Sequence, residues 1–114
     1  MKKIITLLFI AIVSTSITFA QNNSTKKADK LFDRLEYVKA AEEYLKLTDK
    51  NPNNYIIGRL ADSYYNMFNT VEAEKWYSKI IDDDPNAEVI FRYSEMLKAN
   101  GKYKESKCLD VQIF

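Results

Sequence analysis

The chain has 114 residues, of which 46% are hydrophobic and 29% are charged, and its formal net charge is +1. That length allows one small domain, and the even charge balance gives no electrostatic footprint for nucleic acid or for an anionic membrane surface. The sequence has no histidine, which removes the commonest zinc ligand and the usual general base, and its single cysteine cannot form a disulfide within the chain.

The N-terminal segment 1–20 has the three parts of a secretory signal peptide. Lys2-Lys3 is the basic start, Ile4–Val13 is the apolar core, and Thr18-Phe19-Ala20 supplies small residues before a cleavage site. The apolar core is about ten residues long, whereas a membrane-spanning helix needs roughly 20. We therefore expect export with cleavage between Ala20 and Gln21, and no membrane span in the mature chain. The alternative is an uncleaved N-terminal anchor.

The remaining sequence aligns with itself when Pro52 is placed on Pro85, and we call the separation of these two prolines the repeat period. Small residues fall on small ones and aromatic residues on aromatic ones: Ala28 on Ala61 and Ser94, Ala40 on Ala73 and Ser106, and Tyr44 on Tyr77. A fixed period of this length is typical of solenoid repeats. Apolar residues recur at helical spacing on both sides of a short break in each unit, which predicts two helices per unit.

These patterns predict a signal peptide over 1–20, a flexible N-terminus over 21–27 and repeats over 28–52, 54–85 and 87–107. In the second unit the break is Phe68-Asn69-Thr70, where Asn69 and Glu72 predict a helix cap. In the third unit Gly101 supplies a break that the second unit lacks. We expect 108–114 to be an irregular or truncated tail. Repeat arrays need a polar outer face at each end, so its apolar residues predict either a partner that covers this end or a longer parent protein.

The pattern resembles the tetratricopeptide repeat, in which small residues lie at the helix contacts and proline closes each unit. The match in the second unit rests on Leu60, Ala61, Tyr64, Ala73, Tyr77, Ile80 and Pro85. The repeat is one residue shorter than is usual in the family, and Ile57 and Phe68 replace its early tryptophan and its turn glycine. The resemblance implies an all-α stack of antiparallel helix hairpins, with about 2.5–3 repeats after the N-terminal signal helix.

The resemblance also implies a concave groove lined by the first helix of each unit. The residues at the groove positions are Asp29, Phe32, Asp33, Tyr55, Asp62, Tyr65, Asn66, Glu88, Phe91, Glu95 and Lys98. This set is acidic with exposed aromatics, a composition suited to an extended peptide segment that carries basic or amide groups. The alternative is a solvated face whose aromatics are half-buried at the repeat junctions.

No catalytic pattern is present. Cys108 has no histidine partner, no glycine-rich phosphate loop occurs, and Asp82-Asp83-Asp84 lacks the alternating ligand spacing of a calcium loop. We therefore expect no enzymatic activity, cofactor or metal.

The signal peptide and the Lys/Asp-rich degenerate repeats are similar to the N-terminal region of OmpA-family envelope proteins of Bacteroidota.

In that family a β-propeller-like region and a peptidoglycan-binding domain follow the repeats, and only the repeat region has a counterpart here. The resemblance implies a protein–protein interaction scaffold in the periplasm or on the periplasmic side of the outer membrane, with other envelope proteins as partners. The alternative is a periplasmic chaperone or assembly factor that grips extended client segments.

Overall fold

Short breaks divide the chain into six helices, which a computed structural model describes over residues 25–113. Helix α1 covers 25–33. It is followed by α2 (Tyr37–Lys50), α3 (Asn54–Asn66), α4 (Thr70–Ile80), α5 (Ala87–Ala99) and α6 (Tyr103–Ile113). No strand occurs within 25–113, which confirms the all-α class. The predicted signal peptide, its cleavage site at Ala20 and Gln21, and Phe114 lie outside the described residues.

Asparagine side chains cap three of these helices at their N-termini. The side-chain oxygens of Asn53, Asn69 and Asn86 accept hydrogen bonds from backbone N–H groups three residues ahead, at 2.9, 3.3 and 3.0 Å respectively. Each bond satisfies one of the N–H groups that the start of a helix leaves unpaired. The predicted cap at Asn69 is confirmed, although the Glu72 carboxylate accepts a hydrogen bond from Trp76 Nε1 rather than from the Asn69 backbone.

The turn inside each unit is built in the same way three times. Leu35, Phe68 and Gly101, which are separated by the repeat period, have φ angles of 63°, 58° and 82°. In each turn the next N–H bonds back five residues to a carbonyl of the preceding helix, at 2.9, 3.0 and 2.8 Å in chain order. This hydrogen bond is typical of helices that are closed by a single residue in the left-handed conformation. The expectation that the second unit lacks the break supplied by Gly101 is wrong, because Phe68, like Leu35 in the first unit, adopts the same conformation without being glycine.

Each helix from α2 onward packs against the next one in the chain, and α3 also contacts α5. Connections of three to six residues between packed neighbours require antiparallel helix pairs. The small residues predicted at the contacts are all buried, which lets the helix axes approach closely. They are Ala28, Ala40, Ala61, Ala73, Ser94 and Ser106, each at most 1% exposed.

Tyr44 and Tyr77, which fall on each other in the repeat alignment, are the largest fully buried side chains. In the third unit the two serines of the contact, Ser94 and Ser106, are joined by a hydrogen bond of 2.8 Å.

Both ends of the described chain differ from the sequence-based expectation. Residues 25–27, expected to be flexible, belong to α1. At the other end α6 continues to Ile113, so 108–113 is helical rather than irregular. The periodicity of a short, weakly amphipathic helix was too faint to predict it from sequence.

We predict that Phe68→Gly stabilises the protein. A left-handed conformation costs an L-residue roughly 1–2 kcal/mol, and glycine avoids that cost in exchange for a smaller loss of backbone entropy. Because the Phe68 side chain is 88% exposed, little packing is lost. Chemical denaturation should show a gain of about 1 kcal/mol.

The reciprocal variant, Gly101→Ala, is the control. No heavy atom lies within 4 Å of a Cβ placed at Gly101, so any loss of stability there comes from the backbone alone. Equal stability of Gly101→Ala and the parent protein would contradict the argument.

Candidate binding face

Side chains of α1, α3 and α5 contact one another across the helices and form one continuous surface, which we call the odd-helix face. Tyr55 on α3 donates to Asp29 on α1 at 2.9 Å. Tyr65 on α3 donates to Glu95 on α5 at 2.6 Å. Four of the eleven residues predicted to line a groove thus contact one another on this face, and the eleven side chains differ widely in exposure.

Asp62 lies at the centre of this face and holds two units together. Its Oδ1 accepts a hydrogen bond of 2.5 Å from the buried hydroxyl of Tyr77 on α4 and one of 2.6 Å from Arg92 Nη1 on α5. A buried phenol needs an acceptor, and a carboxylate is a strong one. Burial, together with the Asp62 charge and hydrogen bond, raises the pKa of Tyr77 well above its usual value. We call this arrangement the Asp62 junction.

The guanidinium of Arg92 is fixed from several sides. Besides Asp62 it pairs with Glu88 one helical turn earlier, at 2.5 Å, and it lies 5.1 Å from the centre of the Tyr65 ring. Burial, the largest single influence, acts to lower the pKa of Arg92, but the Asp62 carboxylate and Tyr77 together raise the pKa overall. Arg92 is therefore a permanent counter-charge on this face.

An equivalent junction forms one repeat earlier. Asp29 accepts hydrogen bonds from the hydroxyls of Tyr44 and Tyr55, and burial followed by the Asp29 bond raises the pKa of Tyr44. Arg59, one repeat period before Arg92, donates to the Tyr55 hydroxyl at 3.4 Å. Its guanidinium stacks 4.2 Å above the Phe32 ring. The same residue types form both junctions. Here, however, Arg59 is linked to the Asp29 carboxylate through Tyr55, whereas Arg92 bonds directly to Asp62.

The third unit replaces the tyrosine by Asp110. Its Oδ1 accepts a hydrogen bond of 2.5 Å from Ser94, and its Oδ2 lies 2.9 Å from Lys98 Nζ. The Ser94 bond and then the Lys98 bond hold the pKa of Asp110 below its usual value. Lys98, one of the predicted groove residues, therefore pairs with a carboxylate of its own unit. Glu95 also has a partner, because it accepts a hydrogen bond from Tyr65, and this bond raises the pKa of the Tyr65 phenol.

Most of the predicted acids therefore have structural roles. Asp29, Asp62 and Glu95 accept hydrogen bonds between helices, and Asn66 donates to the Asp62 carbonyl at 2.8 Å. Phe32 is half-buried against Arg59 and against the Tyr37 ring at 5.2 Å. The predicted residues with exposed surface are Asp33, Tyr55, Glu88, Phe91 and Lys98.

Arg59 and Arg92 belong to the two junctions but were not among the residues predicted from the sequence. Their signal was available, since they are separated by the same repeat period as the prolines. The acids at 29 and 62 and the tyrosines at 44 and 77 share that spacing too. If the polar residues are included in the repeat alignment together with the small residues, the alignment predicts both junctions. It then also indicates that Asp29 and Asp62 are bonded within the protein rather than free to bind a partner.

Two clefts open on the odd-helix face. The first, of about 170 Å³, lies between α3, the α4–α5 connection and the start of α5, and its lining includes Tyr55, Gly58, Asp84 and Glu88. The second, of about 350 Å³, lies near the other end of α3 and α5, and its lining includes Tyr65, Phe68 and Met96. The second cleft is mainly apolar, whereas three carboxylates surround the first.

Metal-binding and membrane-spanning features are absent from the described part of the chain. Across the residues with described side chains, no group of three or more His, Cys, Asp or Glu residues is arranged to hold a metal ion. Cys108 is exposed as a free thiol. No helix in the described range is both long and apolar enough to cross a membrane. No protein-family model and no curated protein matches the sequence.

We predict that Tyr77→Phe destabilises the protein by about 2 kcal/mol, because it removes a buried hydrogen bond to a charged acceptor. Tyr103→Phe is the matched control, since Tyr103 is 68% exposed, and its effect should stay within about 0.5 kcal/mol. Urea denaturation followed by circular dichroism measures both. A Tyr77→Phe protein as stable as the parent would show that the Asp62 junction does not stabilise the array.

The raised pKa values of Tyr44 and Tyr77 predict a loss of stability in alkali. Both phenols resist ionisation in the folded state, whereas in the unfolded chain they ionise near pH 10. Their contribution is therefore fully present below about pH 10 and declines as the pH rises further. The melting temperature should fall by at least about 5 °C between pH 9.5 and 11. The double variant Tyr44→Phe/Tyr77→Phe, although less stable at neutral pH, should show a flatter dependence over that interval.

Proposed function

We propose that the protein is a non-catalytic protein-binding module built from tetratricopeptide-type repeats. Three features that recur with the same repeat period support this proposal: the small residues at the helix contacts, the left-handed turns, and the carboxylate junctions at Asp29 and Asp62. A repeated helix pair that contacts mainly its neighbours is the architecture of a solenoid, and solenoids use one face for binding.

The observation that carries the proposal is a pair of exposed aromatic rings on an otherwise fixed polar surface. Tyr55 is 50% exposed and Phe91 is 52% exposed, and both project from the odd-helix face. Around them the acids and arginines are held by hydrogen bonds and ion pairs within the array. Aromatic side chains on a pre-ordered surface are the usual anchors of protein interfaces, since they bury much area at low entropic cost.

The expected ligand is an extended polypeptide segment that carries basic or amide groups. Among the predicted residues of this face, Asp33 and Glu88 keep exposed carboxylate surface, although Glu88 pairs with Arg92 and Asp33 lies 4.0 Å from Arg59. The proposed setting is the periplasm or the periplasmic side of the outer membrane. The predicted signal peptide and the resemblance to the N-terminal repeat region of OmpA-family envelope proteins support that setting. In this role the module holds one or two envelope proteins as a scaffold.

One observation favours the alternative of a chaperone or assembly factor. Large apolar side chains are exposed at and just after the first two turns: Leu35, Val38, Phe68 and Val71, between 61% and 88%. Scattered exposed apolar groups can hold many unrelated client segments weakly. A scaffold and a chaperone therefore differ in the number of partners that contact the odd-helix face.

Photo-crosslinking in living cells tests the proposal. A photoreactive phenylalanine analogue is placed at Phe91 in one strain and at Tyr103 in another, because both side chains are exposed but only Phe91 lies on the odd-helix face. We expect crosslinked products from position 91 and about tenfold less from position 103. One or two discrete products would support a scaffold, and a broad ladder would support a client-binding chaperone.

Equal crosslinking at both positions, or none at position 91, would contradict a binding role for this face.

Mass spectrometry of the isolated protein tests the predicted signal peptide separately. A mature N-terminus at Gln21 supports a cleaved signal peptide, whereas Met1 at the N-terminus would contradict the cleavage after Ala20.

A further inference from the structure

Gly58 is a glycine in the interior of α3 that neither the backbone nor the packing requires. Its φ is not in the left-handed region, and a Cβ built on it would meet only Ile80 Cδ1, at an ordinary contact distance of 3.6 Å. A glycine in a helix interior is destabilising relative to alanine. Gly58 weakens α3, and no feature of the fold requires it. Its presence indicates that the space beside it must stay free of a side chain.

The space that Gly58 leaves open is the smaller cleft on the odd-helix face. We call it the Gly58 cleft, and its lining includes Tyr55, Arg59, Asp62, Asp84 and Glu88 as well as Gly58. The residue at the equivalent position of the next unit, one repeat period later, is Phe91. The same scaffold position therefore carries an exposed ring in one unit and an opening in the other.

The size of the cleft indicates what it can accept. Its volume is about 170 Å³. Small-molecule sites usually enclose about 300–1,000 Å³. A single side chain of a bound polypeptide is the better match. The aromatic ring of Tyr55 and the apolar side chains of Ile80 and Val89 offer contacts for an aliphatic stem.

The charges at the cleft favour a cation. Arg59 is turned toward α1, where its guanidinium stacks on Phe32 and lies 4.0 Å from Asp33. Arg92 pairs with Asp62 and Glu88. Asp84 is exposed at the rim, and it forms no salt bridge with any residue in the described range. Arg59 is directed away and Arg92 is shared between Asp62 and Glu88, so the three carboxylates at the cleft outnumber their cationic partners, and Asp84 is the one without an ion pair in the described range.

We propose that the Gly58 cleft receives a basic side chain, lysine or arginine, of an extended segment bound along the odd-helix face. The aliphatic stem lies against Tyr55 and Val89, and the cationic end group pairs with Asp84. This site specifies one position of the ligand and so rests on the proposed function. It also gives Asp84 a role, whereas its neighbours Asp82 and Asp83 remain solvated ends of the α4 turn.

Selection from a phage-displayed library of random dodecapeptides on the purified protein tests this assignment. We expect the selected peptides to share a lysine or arginine at one position. Fluorescence anisotropy with one selected peptide should then give about tenfold weaker binding to Gly58→Phe, which places a ring in the cleft at the position where the next unit carries Phe91. Replacing the basic residue of the peptide by methionine should weaken binding to the parent protein by a similar factor.

Asp84→Lys provides a second variant that leaves the helix interior unchanged. It should weaken binding about tenfold, whereas Asp83→Lys, the same charge change one residue earlier, should alter it less than about twofold.

Gly58→Ala should raise the melting temperature by about 4–8 °C, since alanine favours the helix interior and has room.

The outcomes separate the two proposals. Selected peptides without a common basic position would overturn the cleft assignment and leave the binding face intact. Unchanged affinity for Gly58→Phe, or for Asp84→Lys if Gly58→Phe does not fold, would do the same. Failure of the parent protein to select any peptide would overturn the proposed peptide-binding function, and the cleft assignment with it.

Discussion

The array depends on the need of a buried phenol for an acceptor. Tyr77 fills the space between two hairpins, and its hydroxyl must be hydrogen-bonded because no water reaches it. The acceptor, Asp62, belongs to the preceding helix, and the same oxygen also binds Arg92 from the following unit. One carboxylate thus joins three helices. The apolar contacts bring the hairpins together, and the junction fixes how one unit is placed on the next.

The small residues, the prolines and the aromatic residues made the helical repeat predictable from the sequence. The turns were harder, because Leu35 and Phe68 occupy a conformation that sequence reasoning assigns to glycine. Backbone hydrogen bonds of the turn hold them there, and these depend on the preceding helix rather than on the residue itself. The helical end of the chain was not predicted because the apolar residues of α6 do not follow a clear helical period, although α6 packs on α5.

The sequence indicated which helices carry the polar side chains of the candidate site but not what those side chains bond to. Asp29 contacts Tyr55, and Glu95 contacts Tyr65, across the first helices of the units, yet a sequence shows only that Asp29 and Asp62 are polar. It does not show that a tyrosine from the paired helix already occupies each carboxylate. An acid that satisfies a buried hydroxyl has lost most of its capacity for a partner. The binding surface is consequently less acidic than its composition suggests, and its free groups are aromatic rings and a few rim carboxylates.

The repetition of the junction at one spacing has a consequence for the length of the array. A unit that carries an acid on its first helix and a tyrosine on its second offers an attachment point for any following unit that carries the arginine. The unit over 54–85 has all three parts in Asp62, Tyr77 and Arg59. A tandem copy of it would recreate its own connection at both ends, so proteins of this design can grow or shorten by whole units without inventing a new interface.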